Sequence, residues 1–315
     1  MSVSEAFWKP LVGPAARFLG SAAALLVLSF LLIRLVPGDP VRASLGLTAP
    51  VELVAARRAA LGLDLPMSEQ LARYVGSVVR GDMGVSFMSQ LPVTDIIAQR
   101  LPNTVRLAVL ALACAFLGGT VAGLGSAISR SRGAAADRVF VGATGLLSTV
   151  PEFVTAVLST SVFAVALHWL PVAGMTGPPS FALPVFALAL APAAALARIV
   201  RVEAIRVLAQ DYMLAARAKR LSRWRRYLVH ALPNCMTATL TAAGLVFGGL
   251  LTGTVLIENV FAWPGIGSTL VLSILQKDFP LTQGLILTFG LLVLLTNLAV
   301  DMMIALIDPR TGLRR

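Results

Sequence analysis

The chain has 315 residues, 57% of them hydrophobic and 13% charged, whereas an ordinary soluble domain carries roughly a quarter charged residues. Its solvent is a membrane. The formal charge of +11 falls mainly in short segments between apolar runs, so it marks topology rather than a nucleic-acid-binding face, and no nucleic acid is expected as a partner. Cys114 and Cys235 lie in or beside apolar runs without a CxxC, and His168 and His230 are far apart. Neither a disulfide scaffold nor a zinc site is therefore indicated, and an HExxH protease and a multi-histidine metal site are excluded.

Spanning about 30 Å of hydrocarbon as helix takes roughly 20 apolar residues. Six stretches qualify, at about 17–36, 105–128, 139–168, 181–201, 235–257 and 281–307, which predicts an all-α, polytopic membrane protein with one transmembrane domain over 1–315. The first stretch is longer than the apolar region of a secretory signal and runs into IRLVPGDP without a small-x-small cleavage site, so it reads as an uncleaved anchor, with Arg34 snorkelling outward. Between the first two spans, residues 37–101 form an external segment. Ser68 is placed to cap a helix whose Leu71, Tyr74, Val75 and Val78 share one face, laid against the outer membrane surface.

Within the spans, GxxxG spacing at Gly119 and Gly123, Gly244 and Gly248, and Gly249 and Gly253 permits close backbone approach. Pro151, Pro184 and Pro192 remove backbone donors and are expected to interrupt or bend spans three and four. Charged residues are expensive in lipid, and two stand out. Glu152, directly after Pro151, has three open readings: lining a path and meeting a substrate ammonium, pairing with a partner subunit, or capping the broken helix. Asp301 is expected to face water at the inner end of span six.

Orientation follows from the short loops, because Lys and Arg are retained in the cytoplasm. Residues 129–138 carry Arg130, Arg132 and Arg138; residues 198–233 carry nine basic residues, including Arg217, Lys219, Arg220, Arg223, Arg225 and Arg226; the tail adds Arg310, Arg314 and Arg315. The loop from Trp169 to Ser180 has no charge. Both termini are thus expected in the cytoplasm.

Asp211 to Asn234, DYMLAARAKRLSRWRRYLVHALPN, is too polar to cross a membrane and is helical in pattern on both sides of a break near Arg220 to Ser222, with Ile205, Leu208, Tyr212 and Ala215 on one face. Such a helix pair suits docking into a groove on another protein; a basic hairpin resting on anionic membrane lipid would carry the same charges.

The segment resembles the coupling loop of binding-protein-dependent importer permeases, whose pattern is Glu-Ala-Ala, then Gly, then Ile and Leu-Pro. Leu214, Ala215 and Ala216 take the first three places, Arg220 the glycine place, His230 the isoleucine place, and Leu232 and Pro233 close it. The missing glycine is a departure, since a side chain adopts positive φ only at a cost. Further stretches resemble the dipeptide, oligopeptide and nickel branch of these permeases, nearest the B-type dipeptide subunits: LIRLVPGDPV, LGLDLPMSEQ, RGDMGVSF, LPVAG, ENVFAWPGIGS and ALIDPR. The resemblance implies a type I ABC importer permease fold in a bacterial inner membrane. It also implies a second homologous permease subunit, two ATP-binding subunits docked through Asp211, Ala215, Ala216, Arg217, Lys219, Arg220, His230, Leu232 and Pro233, and an extracytoplasmic binding protein. Peptides are the implied cargo, with nickel complexes, glutathione or haem as alternatives.

The chain is expected to hold no cofactor, with ATP and Mg on the partner subunits. A phosphate-cradling loop needs Gly-Lys followed by Ser or Thr, yet Lys9, Lys219 and Lys277 precede Pro10, Arg220 and Asp278. An intramembrane enzyme is the reading of a different class; Glu152 and Asp301 stand on different spans without an accompanying motif.

Overall fold

A computed structural model describes residues 3–35, 41–42, 49–60, 62–129 and 133–307. The VPGDP turn, Arg130, Arg132 and the tail arginines lie outside the described residues, as do the side chains of Lys9 and Arg34. The helices are α1 (Val3–Leu35), α2 (Val51–Ala60), α3 (Met67–Val79), α4 (Val93–Ile128), α5 (Ala134–Thr149), α6 (Glu152–Ser159), α7 (Ala182–Leu208), α8 (Asp211–Ala218), α9 (Leu232–Val260), α10 (Ile266–Leu275) and α11 (Phe279–Ile307). Wide π-helical turns, Thr160–Ala166 and Arg225–Ala231, continue α6 and lead into α9. Among the described residues, five helical stretches are long and apolar enough to cross a membrane. The apolar pair Ala134–Thr149 and Glu152–Ala166, bent by 96°, makes up to six if it is one broken span.

The break in that pair has a local cause. Val150 and Pro151 both adopt extended backbone, because a proline disfavours the helical conformation in the residue before it. Pro184 and Pro192 do not interrupt span four as expected: Pro192 sits inside α7, which runs from Ala182 to Leu208 as one helix, and Pro184 falls in its first turn, where a missing N–H costs little.

The described chain forms two compact units. The first combines residues 1–104 and 264–298. Val93, Ile97, Ile266, Leu281 and Leu285 make its core. Gly284 gives up its side chain to Val93. α3 packs on α1 through Tyr74, whose ring stacks on Phe30 with centroids 5.8 Å apart and whose hydroxyl shares a 2.9 Å hydrogen bond with Ser29. The helix predicted after Ser68 is present, but Pro66 occupies the N-cap and Ser68 lies inside the first turn; proline's fixed φ already starts the helix.

RGDMGVSF is held in this unit by one buried carboxylate. Asp278 accepts hydrogen bonds from the Ser86 hydroxyl (2.5 Å) and from the backbone N–H groups of Phe87 (3.0 Å) and Met88 (3.2 Å). It stands at the start of α11, where the helix dipole also favours negative charge.

The second unit combines residues 105–263 and 299–315. One core cluster includes Leu107, Leu188, Leu196, Leu250, Ile257, Phe261 and Trp263, with Phe181 edge-on to Trp263 at 4.6 Å. The GxxxG expectation holds on α4: a Cβ on Gly119 would lie 2.8 Å from Leu196 Cβ, and one on Gly123 would lie 2.7 Å from Val200 Cβ. α4 and α7 therefore touch backbone to backbone. On α9, Gly244 meets Val300 and Gly253 meets Glu152, whereas Gly249 faces open space.

Candidate functional site

α7 ends at Leu208, Ala209 and Gln210 turn the chain, and α8 starts at Asp211, a carboxylate well placed for the positive end of the helix dipole. Gln210 is extended, which resets the helical phase, so the face predicted across Ile205, Leu208, Tyr212 and Ala215 is corrected. Ile205 and Leu208 do pack on the cluster formed by Leu124, Val200, Ala204, Val207, Met213, Ala231 and Cys235. On α8, however, Met213 and Ala216 are the buried residues, while Tyr212, Leu214, Ala215, Arg217 and Lys219 are exposed. Ala216 thus secures α8 to its own chain, and the outward surface carries Tyr212, Leu214 and Ala215.

Arg220 follows at φ +51°, the left-handed conformation implied by the glycine place it occupies. Two hydrogen bonds close the helix end around it, from the Arg220 N–H to the Arg217 carbonyl (2.9 Å) and from the Leu221 N–H to the Ala216 carbonyl (3.2 Å). This is a Schellman C-cap with arginine where glycine is usual. The break predicted near Arg220 to Ser222 is present. Arg223, Trp224 and Arg225 are all exposed in the turn. His230 is half-buried in the π-helical turn, Leu232 packs on the second cluster, and Pro233 is exposed in the first turn of α9. Tyr212, Leu214, Ala215, Arg217 and Lys219 therefore form one exposed face of α8, and His230 to Pro233 join the segment to α9.

Glu152 opens α6 directly after the break. Its carboxylate fits the space left by Gly253 on α9, close to Leu188 of α7. No side-chain cap closes α6, so the capping reading of Glu152 is corrected, and among the described residues no salt bridge is made to it. Asp301 is half-buried on α11.

Sequence reasoning missed a pair on α5 and α7. The Arg201 guanidinium forms an ion pair with Asp137 and lies over the Phe140 ring, 5.0 Å from its centroid. The available signal was an arginine at the end of the apolar run ALARIVR, since a charge so placed needs a partner. No group of three or more potential metal ligands occurs among the described residues.

Two family models match the chain: "Binding-protein-dependent transport system inner membrane component" over residues 119–313, and the N-terminal membrane component of the same transport systems over residues 15–108. The glutathione transport system permease proteins GsiC of Escherichia coli K12, Shigella dysenteriae serotype 1 and Salmonella paratyphi A are each 38% identical over 296 residues, covering 93% of this chain and 96% of theirs. The five long apolar helices and the bent apolar pair agree with those matches. The chain belongs to the binding-protein-dependent inner-membrane family, the non-catalytic permease subunits of ABC importers.

Proposed function

We propose that the chain forms half of an inner-membrane path for short peptides, beside a second homologous permease subunit, with two ATP-binding subunits on the cytoplasmic side and both of its own termini there. The observation that carries the cargo class is the similarity to glutathione permeases across nearly the full length of both chains; glutathione is itself a tripeptide. Nickel complexes and haem are the other cargoes of this branch. ATP and Mg belong to the partner subunits, and an extracytoplasmic binding protein delivers the substrate.

In this reading α8 is the element that the ATPase grips. Tyr212, Leu214, Ala215, Arg217 and Lys219 face outward, and an amphipathic helix in a partner's groove is a recurrent docking mode. Asp211 favours the helix start, Arg220 turns the chain away, and His230, Leu232 and Pro233 lead the displacement into α9. Met213 holds α8 to the cluster it forms with Leu124, Val200, Ala204, Val207, Ala231 and Cys235, and Ala216 is buried as well, so a push on α8 reaches α7 rather than being absorbed by a loose loop. Glu152 is the pathway residue, available to a substrate ammonium when α6 leaves the Gly253 space.

The test is reconstitution with the partner permease, ATPases and binding protein, measuring ATP hydrolysis and uptake of dipeptides and glutathione. Leu214→Glu on the exposed face should abolish stimulated hydrolysis while the permease pair still assembles. Failure of any ATPase to associate with the wild type would refute the docking role, and stimulation by a nickel complex or haem, but by neither peptide, would reassign the cargo.

A further inference from the structure

We propose that Arg201 and Asp137 are a latch that makes α5 move with α7, so that displacement of the coupling segment reaches the break at Val150 and Pro151. The proposal rests on the coupling role given above to α8.

The geometry is a lever with its parts in sequence. Arg201 stands on α7 seven residues before its end at Leu208, about 10 Å along the axis, and α8 follows after a two-residue turn. Asp137 lies in the first turn of α5. From there α5 runs twelve residues to Thr149, about 18 Å of stiff helix, and stops at the 96° break that opens α6 at Glu152. α5 lies along α7, with Asp137, Phe140, Thr144 and Ser148 on its covered face, so movement of α7 carries α5 with it and is taken up at the break that opens α6.

The fastening is specific. Arg201 is 8% exposed, its guanidinium is held on one side by the Asp137 carboxylate and on a face by Phe140, and its Nε has no hydrogen-bond partner. Both attachments come from α5. Asp137 is the one carboxylate paired with Arg201 among the described residues, and a buried arginine that loses such a partner is left uncompensated in a poorly polar setting, so the helices do not separate at this end while the pair persists. α4 is fixed to the same helix by close approach at Gly119 and Gly123 and by apolar side chains such as Leu124 against Val200 and Ala204, which suits a static wall; the ionic contact suits an element that must transmit force and orientation. Arg201 and Asp137 are therefore positioning residues, acting on the path through α5 and the hinge.

Two measurements on the reconstituted four-component complex test this. The first is dipeptide uptake per ATP hydrolysed. Asp137→Asn and Arg201→Asp should each lower it about five-fold, within the range of allosteric couplings, with assembly on size-exclusion chromatography unchanged. The double exchange Asp137→Arg with Arg201→Asp should recover at least half of the loss, short of all of it because a cation in the first turn of α5 opposes the helix dipole. The second needs no transport: spin labels at the exposed positions Val139 of α5 and Val202 of α7, in a Cys114→Ser, Cys235→Ala background, should keep one narrow distance distribution with and without ATP, and Asp137→Asn should broaden it.

A label distance that changes with nucleotide in the otherwise unsubstituted complex overturns the latch, as does wild-type uptake per ATP in both single variants. Leu214→Glu separates the two levels of the reading. If it uncouples transport while Asp137→Asn does not, the latch alone is wrong; if Leu214→Glu itself leaves uptake per ATP intact, the coupling role falls and the latch falls with it.

Discussion

Arg220→Gly should stabilise α8, although it deletes a charged side chain from a segment proposed as a docking surface. α8 has eight residues, too few for an isolated helix to persist in water, so its order depends on packing of Met213 and Ala216 and on its ends. Arg220 holds φ at +51°, which costs a residue with a Cβ about 1–2 kcal/mol. Glycine removes that cost and gives back about 0.5–1 kcal/mol through the greater freedom of the unfolded segment, leaving a net gain of about 0.5–1 kcal/mol. Amide hydrogen exchange is the direct assay, because the Arg220 and Leu221 N–H groups close the cap and exchange through local opening. A gain of that size slows their exchange about two- to five-fold. Arg220→Ala separates charge from conformation: it keeps the Cβ and should leave exchange within about two-fold of the wild type. Equal protection in the glycine and alanine variants would refute the strain argument, and faster exchange in Arg220→Gly would show that the guanidinium itself holds the turn.

Gly119→Ala and Gly123→Ala should each cost about 1–3 kcal/mol by overpacking, lowering the midpoint of thermal unfolding in detergent, whereas Gly118→Ala and Gly125→Ala, which meet nothing within 4 Å, should leave it unchanged. Asp278→Ala removes the acceptor for three donors of the segment Ser86 to Met88; limited trypsin digestion should then cut after Arg80 and Arg100 much faster than in the wild type, and an unchanged digestion pattern would show that the segment is held elsewhere. Burial raises the Tyr74 phenol above its ordinary value, opposed in part by hydrogen bonds from Ser29 and Gln283. A raised folded value favours the neutral phenol, so its contribution is complete below about pH 10 and is lost as pH climbs through the folded value. Tyr74→Phe should flatten the alkaline fall in thermal stability of the first unit, and an equally steep fall in the variant would assign it to other groups.

The spans and the coupling turn were legible because their causes are local. Twenty apolar residues in a row, a proline after Val150 and a residue standing in a glycine place each announce themselves within a short window. The outward face of α8 was not legible, since one extended residue, Gln210, resets a phase that periodicity assumes to be continuous. Ser68 was misread because the preceding Pro66 starts α3 by its own geometry. Asp278 and Ser86 are 192 residues apart, and no short pattern connects a carboxylate to donors at that distance. Arg201 and Asp137 failed for the same reason: each looks like an ordinary charge at the edge of a span until the fold brings their helices together.

The bend between α5 and α6 also bears on how the chain enters its membrane. α5 has 16 residues and the limb from Glu152 to Ala166 has 15, so each limb is about 23 Å long, short of a hydrocarbon core of about 30 Å. Neither limb can reach across alone, and the bent pair opens backbone groups at its corner that lipid cannot solvate. α7 and α9, which flank Glu152 at Leu188 and Gly253, are synthesised later. The corner is therefore lined by its neighbours only after α7 and α9 have been made, which makes its completion a late step in biogenesis.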